Sequence, residues 1–191
     1  MRNILLGLWF FLPAGIANAS PVFANKFPVL HRWKTPLDFG KSWRGKRLFG
    51  DNKTWRGLIF GVLMATLTIW IQHRIWSHQI GRLTRPGFFY EAGNLMHFYS
   101  NHYWLLGALL GLGALLGDAV ESFFKRQVGV PAGASWFPFD QVDYILGGLL
   151  LSAPVALLTF RGYCLIIVLW GGIHVIVSYL GYLLKLKDKP I

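Results

Sequence analysis

The sequence predicts an all-α, polytopic integral membrane protein with five transmembrane helices, its N-terminus outside the cell and its C-terminus in the cytoplasm. The first observation is composition: 54% of the 191 residues are apolar and only 14% are charged, against roughly 25% charged residues in soluble domains. The second is that apolar segments long enough to cross a hydrocarbon core of about 30 Å recur along the chain. The third is that the 19 basic residues, which outnumber 8 acidic ones, cluster on one side of the resulting topology, as the positive-inside rule requires.

The predicted spans make the chain a single transmembrane domain over residues 1–191. They lie at residues 4–24, 57–75, 103–120, 144–160 and 163–184. The first span is interrupted by Pro13, Asn18 and Pro21. Because only Arg161 and Gly162 separate the last two spans, we expect these two helices to form a tight hairpin.

The third predicted span contains two G-x-x-x-G spacings, at Gly107/Gly111 and Gly113/Gly117. Small residues at this spacing let two helix backbones approach each other closely within a membrane. We therefore expect this span to pack tightly against its neighbours.

The orientation depends on the loop over residues 25–56, which follows the first span. The first span has an alternative interpretation as a signal peptide, because Ala17-Asn18-Ala19 fits a cleavage site. That alternative would leave outside the cell a loop that holds nine of the 19 basic residues. The positive-inside rule places such a loop in the cytoplasm, so we retain the segment as a span. The loop at 121–142 and the C-terminal tail then also lie in the cytoplasm, and the loop at 76–102 lies outside.

The net positive charge of the chain indicates which classes of molecule it could bind. A formal net charge of +11 on a soluble protein would suggest nucleic acid, but on a membrane protein it indicates cytoplasmic loops, anionic lipid headgroups or a phosphorylated substrate. We therefore expect membrane lipids as partners and no nucleic acid. Cys164 is the only cysteine, which excludes a disulfide framework and a cysteine-based metal site.

The loop over residues 25–56 has the composition of a phosphate-binding segment. It carries nine basic and two acidic residues, and glycines punctuate the cations. Glycine lets a backbone approach a ligand closely, and the cations neutralise phosphate charge. A P-loop is excluded because Thr35 stands where that motif needs glycine. The alternative is a loop that contacts only lipid headgroups.

The segment over residues 117–148 contains four of the eight acidic residues. Asp118 and Glu121 are spaced i, i+3 on the helix that leaves the third span, and Asp140 and Asp143 have the same spacing before the fourth. Carboxylates without a nearby histidine or cysteine favour a hard cation, and Mg²⁺ fits best. Alternatively, the first pair forms ordinary helix-surface salt bridges, and Asp140 caps a helix. An acidic cluster beside a basic, glycine-rich loop is what binding of Mg²⁺ with a polyphosphate requires.

These motifs, taken in order, resemble the CDP-archaeol synthase family, whose members are membrane enzymes related to the CDP-diacylglycerol synthases. The resemblance covers nearly the whole chain. It is carried by Leu12-Pro13-Ala14, Asn18, Ser20, Pro21, Pro36-Leu37-Asp38, Gly45-Lys46-Arg47, Gly50-Asp51-Asn52-Lys53-Thr54-Trp55-Arg56-Gly57, Gly117-Asp118, Ser122-Phe123, Lys125-Arg126 and Asp140-Gln141-Val142-Asp143. The longer signature of the diacylglycerol branch, with Lys-Asp and His-Gly-Gly before its final acidic pair, is replaced here by residues 130–139.

The resemblance implies an enzyme of the cell (inner) membrane whose active site faces the cytoplasm. It implies Mg²⁺-dependent transfer of a cytidylyl group from CTP to a membrane lipid phosphate, giving a CDP-activated lipid and pyrophosphate. Asp118 and Asp140 match the metal-binding carboxylates of the wider superfamily, with Glu121 and Asp143 in support. The alternatives are a CDP-diacylglycerol synthase acting on phosphatidic acid, and a non-enzymatic membrane scaffold. A homodimer is left open.

The two loops and the resemblance together assign the candidate residues. The expected metal ligands are Asp118, Glu121, Asp140 and Asp143. The expected nucleotide-binding residues are Lys41, Arg44, Lys46, Arg47, Asn52, Lys53, Thr54 and Arg56. The expected catalytic residues are Asp118, Asp140, Lys125, Arg126 and Lys53.

Overall fold

A computed structural model of the protein describes residues 2–25, 27–76, 102–131 and 134–184. The elements in this part of the chain are α1 (Arg2–Ala24), α2 (Pro28–His31), β1 (Ser42–Trp43), β2 (Lys46–Arg47), α3 (Trp55–Trp76), α4 (Tyr103–Val128), α5 (Phe139–Ser152) and α6 (Phe160–Leu183). The helical fold class is thus confirmed, and the short antiparallel hairpin of β1 and β2 is an addition inside the basic loop. Most of the predicted outer loop at 76–102, and the C-terminal tail with its three lysines, lie outside the described residues.

Within the described residues, four helices are long and apolar enough to cross a membrane, and each begins within three residues of a predicted span. They cover Asn3–Ala24, Trp55–Ile75, Tyr103–Val128 and Phe160–Leu183. The first runs as one helix through Pro13 and Pro21, two of the residues that interrupt its apolar sequence. The third continues beyond residue 120 to Val128 and ends where Gly129 adopts a left-handed conformation with φ 84°. Much of the predicted loop at 121–142 is therefore helical.

The fourth predicted span, at 144–160, differs most from the observed element. α5 begins at Phe139 and ends after 14 residues at Ser152, which corresponds to about 21 Å of helix. Pro154 follows and lacks the backbone N–H that another helical turn would need. The chain then runs through residues 153–159 before α6 begins at Phe160. The predicted hairpin at Arg161 and Gly162 is wrong, because both residues lie inside α6.

The glycines of α4 let this helix touch a neighbour on each of two faces. A side chain at Gly113 or Gly147 would collide with the backbone of the other residue, so α4 and α5 are in direct backbone contact. On another face, a side chain at Gly107 would meet Ile69, and one at Gly111 would meet Ala65, both on α3. The prediction of close packing at both G-x-x-x-G spacings is confirmed.

α1 packs into the centre of the bundle through aromatic side chains. Phe11 is fully buried, and its ring lies edge-on to Trp170 of α6 at 5.7 Å between centroids. The Trp170 indole N–H donates to the carbonyl of Gly7 at 3.2 Å, and the Tyr144 hydroxyl donates to the carbonyl of Trp170 at 3.2 Å. These bonds satisfy buried polar groups, and they join α1, α5 and α6 next to Asp143.

Candidate metal and nucleotide site

Three carboxylates converge where α4 and α5 touch. Asp118, Glu121 and Asp143 each offer an oxygen, and these oxygens all lie within 4.8 Å of one another. The first two are one turn apart on α4, and Asp143 comes from the first turns of α5. A side chain at Gly117 would collide with the carbonyl of Asp143, so the missing side chain allows the two helices to bring their carboxylates together.

The donor set of this carboxylate cluster fits a divalent cation. Glu121 is 7% exposed, and its Oε1 accepts no hydrogen bond from the described residues. Three carboxylates so close together repel one another unless a cation or protons offset the charge. Oxygen-only ligation suits a hard cation such as Mg²⁺. The cluster could thus hold a divalent metal through residues 118, 121 and 143.

Asp140 lies beside the carboxylate cluster but not within it. Its Oδ1 accepts from Lys125 Nζ at 2.6 Å, and its Oδ2 accepts from the backbone N–H of Trp136 at 2.6 Å. Lys125 Nζ also lies 3.5 Å from Glu121 Oε1. The structure therefore differs from the expected pairing of Asp118 with Asp140, because both oxygens of Asp140 already have donors and Asp143 is the residue that faces Asp118.

The basic loop reaches the carboxylates through Lys53. Its Nζ lies 2.5 Å from Asp118 Oδ2. The hairpin is held against the end of α4 by Lys46, whose Nζ donates to the carbonyl of Gln127 at 2.6 Å. The two predicted loops, far apart in sequence, therefore meet as expected.

The Arg47 guanidinium forms ion pairs within the loop and does not point toward the carboxylate cluster. Its guanidinium lies 2.9 Å from Asp38 Oδ1 and 2.8 Å from Asp51 Oδ1. The Asp38 side chain is fully buried and also accepts from the backbone N–H groups of Gly40, Phe49 and Gly50. Burial alone would raise the pKa of this carboxyl, but Arg47 and the three N–H donors outweigh it and lower the pKa to about 2. Asp38 was not among the assigned site residues.

A polar cavity of about 570 Å³ lies between the loop and the end of α1. Thr54 pairs with Pro36 in an isolated antiparallel bridge immediately before α3 begins. Asn52, Thr54 and Arg56 line this cavity, whereas Lys53 projects to the other side, toward Asp118. The residue run 52–56 thus forms a ridge between the cavity and the carboxylate cluster.

Other predicted residues in this region have defined surroundings. Arg56 is 5% exposed and donates to the carbonyl of Leu30 and to Asn25 Oδ1, which joins the start of α3 to the chain after α1. Lys41 and Arg44 are exposed on the hairpin. Arg126 is half-buried and donates to the carbonyl of Pro131 at 3.4 Å.

An apolar groove of about 530 Å³ runs between α4 and α5 and ends at the carboxylate cluster. Glu121 and Asp143 line its polar end. Its apolar walls include Leu116, Val120, Phe124, Trp136, Leu146 and Leu150. Leu150 is 74% exposed and Leu146 is 51% exposed, so the groove opens sideways, toward the surroundings of the helices.

Comparison with known proteins gives a consistent family. A family model described as CarS-like, CDP-archaeol synthase, matches residues 1–191. Relatives named CDP-archaeol synthase include one from Pyrococcus furiosus, 35% identical over 191 residues with 100% of this chain and 99% of the relative covered. Another, from Methanospirillum hungatei, is 35% identical over 173 residues and covers 87% of this chain and 95% of its own length.

One similar structure is already solved. It is described as "Structural insight into an intramembrane enzyme for archaeal membrane lipids biosynthesis" and matches with a TM-score of 0.70 and 28% identity, over 92% of this chain and 94% of that one. The resemblance predicted from the motifs is confirmed. The chain belongs to the CDP-archaeol synthase family of CTP-utilising membrane cytidylyltransferases.

Proposed function

We propose that this protein transfers the cytidylyl group of CTP to the phosphate of an isoprenoid ether lipid at the cytoplasmic face of the membrane, with Mg²⁺. The observation that carries the proposal is the position of the carboxylate cluster, between the apolar groove on one side and the cationic loop on the other. A reaction that joins a lipid to a water-soluble nucleotide needs a site bordered by both environments.

The metal would be held by Asp118, Glu121 and Asp143. Mg²⁺ bound there would neutralise negative charge on the triphosphate and orient it. Lys125 and Asp140 lie next to these ligands and form an ion pair at 2.6 Å. In this arrangement Asp140 is not a metal ligand. It holds Lys125, which in turn lies 3.5 Å from Glu121.

The nucleotide would lie across the ridge of residues 52–56. Lys53 faces the carboxylate cluster, where the phosphates would lie. The exposed cations Lys41 and Arg44 of the same loop, and Arg126 near the end of α4, would add positive charge. Asn52 and Thr54 line the polar cavity on the other side. Amide and hydroxyl groups suit the cytidine part of CTP because they can both donate and accept hydrogen bonds.

The main task of the protein in this reaction is to position the lipid phosphate and CTP. An oxygen of the lipid phosphomonoester attacks the α-phosphorus of CTP, a new P–O bond forms, and the bond to the β-phosphate oxygen breaks as pyrophosphate leaves. The second pKa of a phosphomonoester is about 6, so the nucleophile is already ionised at neutral pH. Catalysis then comes from alignment and neutralisation of charge, and no side chain need act as a base.

The apolar groove supports the lipid half of the proposal. Its walls between α4 and α5 offer apolar contact for a hydrocarbon chain, while its end at Glu121 and Asp143 brings the headgroup phosphate to the metal site. Because the groove opens sideways, a lipid can reach the site without leaving the bilayer.

Transfer of label tests the function directly. Purified protein is incubated with CTP labelled in the α-phosphate, Mg²⁺, and either an unsaturated isoprenoid ether lipid phosphate or phosphatidic acid. We expect label in the lipid fraction with the ether lipid and much less with phosphatidic acid. Preference for phosphatidic acid would indicate the diacylglycerol branch, and absence of label with every lipid would favour a non-enzymatic scaffold.

The proposed topology has five crossings, with α5 and the apolar residues after it forming the fourth. Reporter fusions after Val130 and after Leu184 are expected to be active in the cytoplasm, and a fusion at the N-terminus is expected to lie outside. An even number of crossings would place both termini on one side. Agreement of the two termini in such an assay would therefore contradict the proposed orientation and the placing of the site in the cytoplasm.

A further inference from the structure

The loop between α2 and α3 is organised around one buried carboxylate. Asp38 is the residue concerned, and its side chain is fully buried. It accepts from the backbone N–H of Gly40 at 2.9 Å, of Phe49 at 3.0 Å and of Gly50 at 3.1 Å. The donors come from both ends of the stretch 40–50, so this one side chain holds the two ends of that stretch together.

Arg47 completes the shell around this carboxylate. Its Nη2 lies 2.9 Å from Asp38 Oδ1, and its Nε lies 3.4 Å from Oδ2. Charge-assisted bonds of this kind are about twice as strong as neutral ones. The guanidinium is thus held on the side of the loop that faces Asp38 and is not presented to the carboxylate cluster.

The closed loop leads directly to the lysine that faces the metal site. Gly50, whose N–H donates to Asp38, accepts from the N–H of Lys53 at 3.3 Å. The N–H of Leu37, beside Asp38, donates to the carbonyl of Lys53 at 2.7 Å. The Lys53 backbone is therefore bonded to Gly50, which Asp38 holds, and to Leu37, which precedes Asp38 in the chain, and its Nζ contacts Asp118.

We propose that Asp38 is a positioning residue of the nucleotide site, which through its bonds to the loop backbone holds Lys53 against Asp118, and that Arg47 is the structural partner of Asp38 and not a ligand of phosphate. The proposal rests on the proposed function for its kinetic consequence. The loop geometry it describes can be tested without any reaction.

The matched variants are Asp38→Asn, Arg47→Gln and Asp51→Asn. Asparagine at position 38 presents an amide N–H₂ to a site that contains only donors, which leaves buried groups unsatisfied. Asp51 also pairs with Arg47, but its side chain is 81% exposed, and exposed pairs contribute little. Arg47→Gln is the milder variant, because it leaves Asp38 its three backbone donors.

The kinetic expectation is a change in CTP use with little change elsewhere. Loss of buried charge-assisted bonds predicts a rise of about tenfold in the KM for CTP for Asp38→Asn and a smaller rise for Arg47→Gln, with kcat and the KM for lipid within about threefold in both variants. The double variant is expected to be no worse than Asp38→Asn, because both changes break one unit. Multiplied effects would show that Arg47 binds phosphate independently and would overturn the proposal, as would an Asp38→Asn enzyme whose KM for CTP equals that of the wild-type protein.

Hydrogen exchange separates this proposal from the proposed function. In protein without nucleotide, the amides of Gly40, Phe49 and Gly50 are expected to exchange at least about tenfold faster in Asp38→Asn than in Asp51→Asn. Equal exchange in the two variants would overturn the loop arrangement. If the wild-type protein transferred no cytidylyl group, the proposed function would fall, while this exchange difference would still decide the role of Asp38.

Discussion

Asp118→Asn, Glu121→Gln and Asp143→Asn are each expected to abolish Mg²⁺-dependent transfer of label from CTP to lipid. Each change removes one charged ligand from a cluster whose oxygens lie within 4.8 Å of one another. Loss of residues that merely support a metal ligand costs about 10–100-fold, so loss of a ligand should cost more than about a hundredfold in rate. The measurement is the initial rate as a function of Mg²⁺ concentration.

Asp140→Asn provides the comparison that decides between two ligand sets. The family resemblance implies Asp118 and Asp140 as the main ligands, with Glu121 and Asp143 in support, whereas the geometry favours Asp118 with Glu121 and Asp143. Because both oxygens of Asp140 bond to Lys125 and Trp136, the Asp140 variant should lose activity and retain a response to Mg²⁺. We expect Mg²⁺ to raise the unfolding temperature of detergent-purified wild type and of Asp140→Asn, but not of Asp143→Asn. The reverse pattern would contradict the proposed cluster.

Much of the fold could be predicted because the spacing of glycines and of charged residues along a helix indicates which of them share a face. The G-x-x-x-G spacings on α4 predict close packing, and the structure shows backbone contact at Gly113 and Gly147. The i, i+3 spacing of Asp118 and Glu121 correctly places them one turn apart. What the spacing cannot supply is the rotation of α5 against α4. That rotation depends on which glycines touch, and it brings Asp143 in place of Asp140 to face Asp118.

The loop could not be predicted in detail because its conformation depends on contacts among residues far apart in sequence. Phe39 and Arg44 adopt positive φ angles of 49° and 50°, which residues with a side chain rarely adopt. The arrangement persists because Asp38 gathers donors from across the loop. An acid two residues before a glycine, Asp38 and Gly40, was the available signal in this cationic segment. Composition alone could not distinguish Arg47, which faces Asp38, from Lys53, which faces Asp118.

Lys53→Ala is expected to impair use of CTP while leaving the response to Mg²⁺ in place. Lys53 is the loop cation that contacts a proposed metal ligand, with 2.5 Å between its Nζ and Asp118 Oδ2. Removing a charged hydrogen-bonding group costs about 1.5–3 kcal/mol, which predicts a loss of about 10–100-fold in kcat/KM for CTP. The suitable control is Arg74→Ala, which removes a cation from the last turn of α3, at the other end of the same helix.

Lys53→Ala and Asp118→Asn are also expected to differ in their apparent affinity for Mg²⁺. In the absence of metal, the Lys53 ammonium offsets the charge of Asp118 and competes with a divalent cation for the same carboxylate. Removing the ammonium should therefore leave the apparent affinity for Mg²⁺ unchanged or raise it, whereas Asp118→Asn should lower it. If Lys53→Ala and Asp118→Asn both lost the Mg²⁺-dependent rise in unfolding temperature, Lys53 would be needed to form the metal site itself, and its assignment to the nucleotide would be wrong.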